Sequence, residues 1–292
     1  MTPDAMTSTS PHYLNLGCGA RFQPGSGWTN LDFISHHPRV RAHDLNQGLP
    51  FPDGSYDGVY HSHVLEHFTA QDGLRLLREC FRVLRPGGVI RVVVPDLERI
   101  ATGYLEAVAA VRAGRERALL EHEWMILELY DQTTRQEPGG LLGRFCRERG
   151  ESLRPFIEER YGRFATDLLN PPPHAPAPSS LLRRKLSWLR PLYRFLRHAP
   201  DRRETILKWV LGKDYPAFVL GRFRREGEIH QQMYDRINLA STLAACGFEQ
   251  ISVRNQRESA IPGWPDFHLD TDPDGATYKA DSLFMEARRP SA

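Results

Sequence analysis

Residues 12–19 read HYLNLGCG, a short apolar run that ends directly in two glycines one residue apart. The run suits a buried strand. The glycines let the backbone turn sharply and come close to whatever lies over the strand's end. A chain with this start points to an α/β layout, in which loops at the carboxyl ends of parallel strands do the binding. The segments that follow agree. WTNLD (28–32), VRAHDL (40–45) and YDGVYHS (56–62) read as further strands ending in polar residues. Residues 71–84 carry apolar side chains at 74, 77, 81 and 84, and also at 76 and 83, which is a helical stripe. Arg85-Pro86-Gly87-Gly88 stops that helix, and VIRVVVPD (89–96) follows as a strand.

After Asp96 the character changes. Residues 97–135 read as helices rich in Ala, Leu, Glu and Arg, and NPPPHAPAP (170–178) reads as a linker or exposed loop. A helix is expected over 235–246, stopped by Gly247, then strands over 249–255 and 281–287. The chain therefore divides into a disordered tail (1–10), a first half of a sheet domain (11–96), a helical basic insertion (97–226) and the remainder of the sheet domain (227–292). No internal repeat is present. The net charge of +2 hides an asymmetry. Residues 141–226 hold 19 Lys and Arg against 9 Asp and Glu, an excess of ten, which leaves −8 for the rest. The near-neutral total thus says nothing against an anionic partner for the insertion.

Apolar residues at 40% and charged residues at 25% describe an ordinary globular protein and exclude a collagen, a coiled coil or a polytopic membrane protein. Cys18, Cys80, Cys146 and Cys246 lie far apart, as free thiols in a reducing compartment would. The first ten residues lack a basic and apolar leader, so a cytoplasmic location is expected.

The glycine turn narrows the ligand. A dinucleotide fingerprint would need a third glycine where Phe22 stands. Pro24, Gly25 and Gly27 then leave no room for a long helix whose N-terminus would hold a pyrophosphate. NAD and FAD are disfavoured, and no GxxxxGK[ST] for ATP is present. Asp32 and Asp44 end the second and third strands. Either alone is more often a solvated carboxylate or a helix cap. Together, on one sheet edge with the glycine turn, they describe an adenosine pocket, one acid for the ribose hydroxyls and one for the adenine amine.

With these residues in place, the sequence resembles the class I S-adenosylmethionine-dependent methyltransferases, in the branch called type 11. The resemblance rests on LNLGCG (14–19), NLDF (30–33), DLNQGLPFPDGSYDGVYHSHVLEHF (44–68) and ECFRVLRPGGVIRVVVPD (79–96). A later stretch, 230–248 with 281–287, is similar to predicted methyltransferases of bacterial polysaccharide gene neighbourhoods. The resemblance implies a Rossmann-like α/β fold, a seven-stranded mostly parallel sheet with its last strand antiparallel, here carrying a large mainly helical insertion after strand 5. It implies S-adenosyl-L-methionine as cofactor. Gly17 and Gly19 would bound its methionine half, with Cys18 offering backbone alone. Asp32 would take the ribose and Phe33 would lie against the adenine. Asp44 would take the exocyclic amine beside the Leu45 amide, and Ser62 and His63 would line the methionine portion. The chain departs from the family in its shortened first helix and in the insertion, which bear on the substrate.

HSHVLEH (61–67) contains HxxEH, a zinc-hydrolase pattern that on a helix would put His63 and His67 on one face. Its place after a strand of the methyltransferase block, where the family has VLEH, argues for a cofactor-pocket role, and no metal is expected. The helix over 121–135 aligns Trp124, Glu128, Asp131 or Gln132, and Arg135 on one face, a candidate substrate wall, or else a surface face or an Asp131–Arg135 pair. His230 is the candidate general base, with Tyr234 and Asp235 positioning the acceptor; Asp235 could instead cap a helix whose stripe begins at Ile237, Ala240 and Ala244. Residues 181–200 mix Arg with Leu, Trp, Tyr and Phe. They suit a peripheral contact with an anionic membrane face, an anionic substrate site, or a solvated amphipathic helix, the last being the plainest. The expected reaction is O-methylation of a sugar or glycan intermediate, the alternative a non-sugar small molecule, peptide or natural product. An RNA methyltransferase or a non-catalytic cofactor-binding protein is the more distant option. No nucleic-acid partner is expected, since HSHV stands where an NPPY-like motif would and no RNA-binding module is evident. The sequence defines no oligomeric state.

Overall fold

The computed structural model describes residues 10–170, 199–225 and 227–291. The proposed tail lies almost wholly outside these residues, as do the loop at 171–178 and nearly all of 181–200. Among the described residues, strands β1 (Tyr13–Leu16), β2 (Trp28–Asp32), β3 (Val40–Ala42), β4 (Tyr56–Ser62), β5 (Leu84–Pro95), β6 (Glu249–Arg254) and β7 (Ser282–Arg288) form one seven-stranded sheet in the order β3-β2-β1-β4-β5-β7-β6. Neighbouring strands from β3 through β5 pair parallel, and β7 runs antiparallel to both β5 and β6. The expected Rossmann-like order and reversed last strand are present.

Period-two alternation sorts the side chains onto two faces. Leu14, Leu16, Val59, Ile90, Val92, Val94, Leu283 and Met285 face one core. They are covered by α1 (Ala70–Val83) and α9 (Arg236–Ala245) through Leu76, Leu77, Cys80, Val83, Leu239 and Leu243. Each fully buried Leu or Ile there contributes roughly 1.5–3 kcal/mol. Tyr13, Tyr60, Val89, Val93 and Phe284 face the other way. No helix covers them from the β1–β2 connection, which is the short loop 17–27. The long connection 255–281 lies over them instead, seating Ile261, Trp264 and Leu269. Arg91 is fully buried within that layer. Its guanidinium donates to Asp270 Oδ2 at 2.8 Å and Glu286 Oε1 at 2.9 Å, and to the carbonyls of Glu258 and Asn255. Tyr60 donates to Asp270 Oδ1 at 2.6 Å. A buried charge survives only when paired and hydrogen-bonded in this way.

Between β5 and the 228–234 segment the described chain is helical: α2 (Leu97–Arg112), α3 (Ala118–Thr134), α4 (Gly140–Arg149), α5 (Arg154–Tyr161), α6 (Phe164–Leu169), α7 (Ala199–Leu211) and α8 (Tyr215–Phe223). The helices α2 to α6 share a second core around Ile100, Trp124, Met125, Phe145, Ile157 and Ala165. Gly162, at φ +61°, lets the α5–α6 corner touch the sheet domain: Arg163 and Phe164 donate their N–H groups to the carbonyls of Thr277 and Tyr278. No described helix is long and apolar enough to cross a membrane.

Two local expectations shift. The third strand stops at Ala42 rather than 45, because Asp44 caps a 3-10 turn, Leu45–Gln47, by accepting from the Asn46 N–H. The stripe of α9 lies on Leu239 and Leu243, not on Ile237, which is 77% exposed.

Candidate active site

The glycine turn after β1, Asp32 at the end of β2 and Asp44 just beyond β3 lie at the carboxyl ends of neighbouring parallel strands. Gly17 (φ +60°) and Gly19 (φ +52°) both take the left-handed conformation that L side chains avoid. A Cβ on Gly17 would stand 2.4 Å from Val64 Cγ2, so the turn is clamped against the loop after β4. A Cβ on Gly19 would meet nothing within 4 Å: the space above it is open. The Gly19 N–H donates to Asp32 Oδ2 at 2.7 Å, and the Cys18 N–H to Leu31 O at 3.1 Å. Burial pushes the Cys18 thiol up to about 12, so it stays protonated. Phe33 follows Asp32 with its ring 72% exposed. Asp44 is held below the usual carboxylate range, chiefly by the Asn46 N–H. Its Oδ1 accepts twice from Asn46 and its Oδ2 at 3.5 Å from Gln47, which leaves lone-pair capacity on Oδ2. An open glycine cradle, an uncovered aromatic face and two strand-end acids fit an adenosine group.

The loop after β4 is not the helix that the HxxEH spacing suggests. His63 has φ +53° and Leu65–His67 form a single 3-10 turn. His63 and His67 therefore do not share a helical face. His63 Nε2 lies 2.8 Å from Ser282 Oγ, and its Nδ1 3.3 Å from Glu66 Oε1, close but not aligned as a hydrogen bond. Glu66 is 1% exposed, and neither carboxylate oxygen has a hydrogen bond. Burial would raise its pKa, but His63, His67 and His230 around it outweigh that and hold it well below the usual range.

His230 joins this loop from far along the chain. Its N–H donates to Gln132 O at 3.0 Å, Gln231 N–H donates to Glu66 O at 2.7 Å, and its ring stands edge-on to His67 with centroids 4.9 Å apart. Burial pushes its pKa down to about 3, so the imidazole is neutral and only weakly basic. A general base works best near the operating pH, so the expected base role is not supported by this environment. The expected helpers are engaged elsewhere. Tyr234 packs in the main core, with its carbonyl accepting from the Leu97 N–H. Asp235 is the N-cap of α9, accepting from Ile237 and Asn238 at 2.8 Å in a capping box.

The expected substrate wall on α3 turns inward. Trp124 is fully buried in the helical core and donates to Glu128 Oε2 at 2.9 Å. Arg160 grips the Glu128 carboxylate with both prongs, at 2.8 and 2.6 Å. Asp131 pairs with Arg135 at 2.9 Å, the intrahelical alternative, and also accepts from the Leu141 N–H. Arg135 reaches on to Glu228 at 2.8 Å. These residues pair chiefly with one another and tie the helices to the 228–230 segment, although Arg135 Nε keeps no hydrogen bond among the described residues.

Polar groups that the sequence reading passed over do face the edge. Lys279 lies over the Phe164 ring at 5.1 Å, and burial lowers its pKa against the opposing pull of Asp281 and Glu66. Asp281 is 5% exposed, and its Oδ1 has no hydrogen bond. Its carbonyl accepts from the Asp96 N–H at 3.0 Å, which places it at the end of β5. The available signal was topological: residues just before an antiparallel last strand share the edge where parallel strands end.

Residues 29–92 match the model of a family described as a methyltransferase domain. That match and the strand order β3-β2-β1-β4-β5-β7-β6 support a class I S-adenosylmethionine-dependent methyltransferase domain. S-adenosyl-L-methionine is the cofactor this family implies, and the turn and acids above fit it. The chain is 44% identical over 66 residues to a probable S-adenosylmethionine-dependent methyltransferase of Mycolicibacterium smegmatis, covering 21% of this chain and 24% of that protein. It is 30% identical over 161 residues to a demethylmenaquinone methyltransferase of Listeria monocytogenes, covering 47% of this chain and 65% of that protein. The matches span 24% and 65% of the length of these two relatives, each less than two thirds. A solved S-adenosylmethionine-dependent methyltransferase from Archaeoglobus fulgidus aligns over 95% of this chain and 86% of its own, at 12% identity and a TM-score of 0.37.

Proposed function

We propose that this protein transfers the methyl group of S-adenosylmethionine to a hydroxyl of a sugar or glycan intermediate. Gly17, Gly19, Asp32, Phe33, Asp44 and the Leu45 amide would hold the cofactor, with Ser62 and His63 beside its methionine portion. The cofactor's sulfonium supplies an already activated methyl, so the protein's task is to align the acceptor and exclude water. The observation that carries a polar acceptor is Asp281: a buried carboxylate oxygen without a hydrogen bond, at the strand edge that also bears Lys279. A buried polar atom left unpaired costs about 1–3 kcal/mol, so such an atom supports a ligand that donates to it. Sugar hydroxyls do so, whereas an apolar ring does not.

A second reading is methylation of a quinone-like ring, favoured by the name of the Listeria relative. Purified protein given S-adenosylmethionine and a panel of free sugars, nucleotide-linked sugars and demethylated quinones separates the two. S-adenosylhomocysteine formation with one methyl gained on a sugar is expected. Turnover on the quinones alone would reject the sugar reading. Asp281→Asn should raise KM for the sugar by about tenfold, the loss of one charge-assisted hydrogen bond, while S-adenosylhomocysteine binding stays unchanged.

A further inference from the structure

We infer that Glu66, His67 and His230 form a binding site for a divalent first-row transition-metal cation beside the cofactor turn. Each residue offers one ligand atom, and the three atoms lie within 4.8 Å of one another. They come from two segments, 66–67 and 230, locked together by the bonds from Gln231 and Gln232 N–H to Glu66 O and from Gln231 Nε2 to His67 O. The HxxEH spacing alone does not describe this site, since His63 is turned away to Ser282 and His230 replaces it.

The independent observation is the Glu66 carboxylate. It is fully enclosed, and both oxygens lack a hydrogen bond among the described residues. Burying an ion costs several kcal/mol even after the protein relaxes, and no Lys or Arg is paired with Glu66 among the described ion pairs. A cation at the meeting point of the three ligands removes that penalty. The surroundings also orient the ligands. His67 Nδ1 lies 3.3 Å from Ile229 O, so that nitrogen carries the proton and Nε2 is left to bind. His63 Nδ1 stands 3.3 Å from Glu66 Oε1 without an aligned hydrogen bond, so the carboxylate keeps its lone pairs for a cation.

Two imidazole nitrogens and one carboxylate suit zinc, iron(II) or manganese(II) better than calcium or magnesium, which prefer all-oxygen shells. Three protein ligands leave a position open, as catalytic zinc sites do. The site adjoins the cofactor turn, because Val64 of the same loop packs on Gly17. The role assigned to it rests on the methyltransferase reading above. An acceptor hydroxyl bound in the open position would be polarised and would lose its proton to water more readily.

The test uses the full-length, untagged protein, stripped with a chelator and reloaded with Co2+ or Zn2+. One equivalent should bind, and Co2+ should show the visible bands of a low-symmetry nitrogen and oxygen site. Glu66→Gln and His230→Ala should each weaken metal binding by at least about a hundredfold, with melting and S-adenosylhomocysteine binding as controls. No uptake by the wild type, or equal uptake by both variants, overturns the site. If Glu66→Gln does not fold, His67→Gln and the wild-type Co2+ spectrum decide. S-adenosylhomocysteine binding without metal uptake sinks the metal site and leaves the methyltransferase reading standing. Metal uptake without S-adenosylhomocysteine binding does the reverse.

Discussion

At the scale of single residues, the fold separates charges it has satisfied from polar groups it has stranded. Arg91 and His61 lie on neighbouring strands, and both are fully buried. Arg91 has two carboxylates and two carbonyls for its donors. His61 has no hydrogen bond on either ring nitrogen, and burial pushes its pKa down to about 4, opposed only by the charge of Glu66. The sign of its effect follows. In the unfolded chain His61 takes up a proton below a pH of about 6.5, whereas in the folded chain it stays neutral down to about 4. Its contribution to stability is therefore intact above about 6.5 and is lost as the pH falls through that window, by about 3 kcal/mol in all. His61→Leu should remove that slope and leave the melting temperature at pH 7 equal or higher, because it also removes an unpaired buried group. Thermal melts of both proteins at pH 7 and pH 4.5 check this, and parallel pH profiles would refute it.

At the scale of elements, the strands and the first long helix were legible because their apolar residues repeat with a fixed period. The glycine turn, Asp32 and Asp44 could be placed at one sheet edge from the sequence because residues at the end of a parallel strand sit next to that strand in sequence. What was not legible is whatever depends on contacts between distant segments. Nothing local distinguishes a polar stripe on α3 that lines a cavity from one that pairs with Arg160 in α5, and the second is what formed. Likewise Asp235 reads as a residue positioning the acceptor or as a cap until α9 is seen to start behind it. The two glycines of the turn illustrate how much an element's surroundings decide. Gly19→Ala pays only the left-handed backbone penalty of about 1–2 kcal/mol, since nothing stands near its new methyl group. That methyl would occupy the open space over the turn, so S-adenosylhomocysteine affinity should fall by at least tenfold. Gly17→Ala drives its methyl into Val64 and should lose more stability as well. Calorimetric titration and denaturant melts of the two variants distinguish these effects. Equal affinity of Gly19→Ala and wild type would place the cofactor elsewhere.

At the scale of the whole molecule, the protein has a sheet core and a helical core, joined along the edge where the parallel strands end. Two of the joints are specific and lie on opposite sides. Arg135 and Gly139 meet Glu228 on one side, and the α5–α6 corner meets Thr277 and Tyr278 on the other. The second joint passes through Lys279 to Asp281 and so reaches the candidate acceptor edge. Helix positions are therefore coupled to the edge through backbone as well as side chains. Gly162 is the point at which this coupling can be cut without touching the edge itself. Its φ of +61° disfavours any side chain, and a Cβ there would stand 2.4 Å from Thr277 O, a backbone atom that cannot swing aside. Gly162→Ala should therefore separate the corner from the 277–278 segment at an expense of about 1–3 kcal/mol. Hydrogen exchange should quicken at Arg163, Phe164 and Ala280, whose amides bridge the two parts, while β4 and β5 keep their protection. If acceptor alignment depends on this joint, the variant should bind S-adenosylhomocysteine normally yet turn over more slowly. Uniform loss of protection across β4 and β5 would show instead that the two cores unfold as one unit.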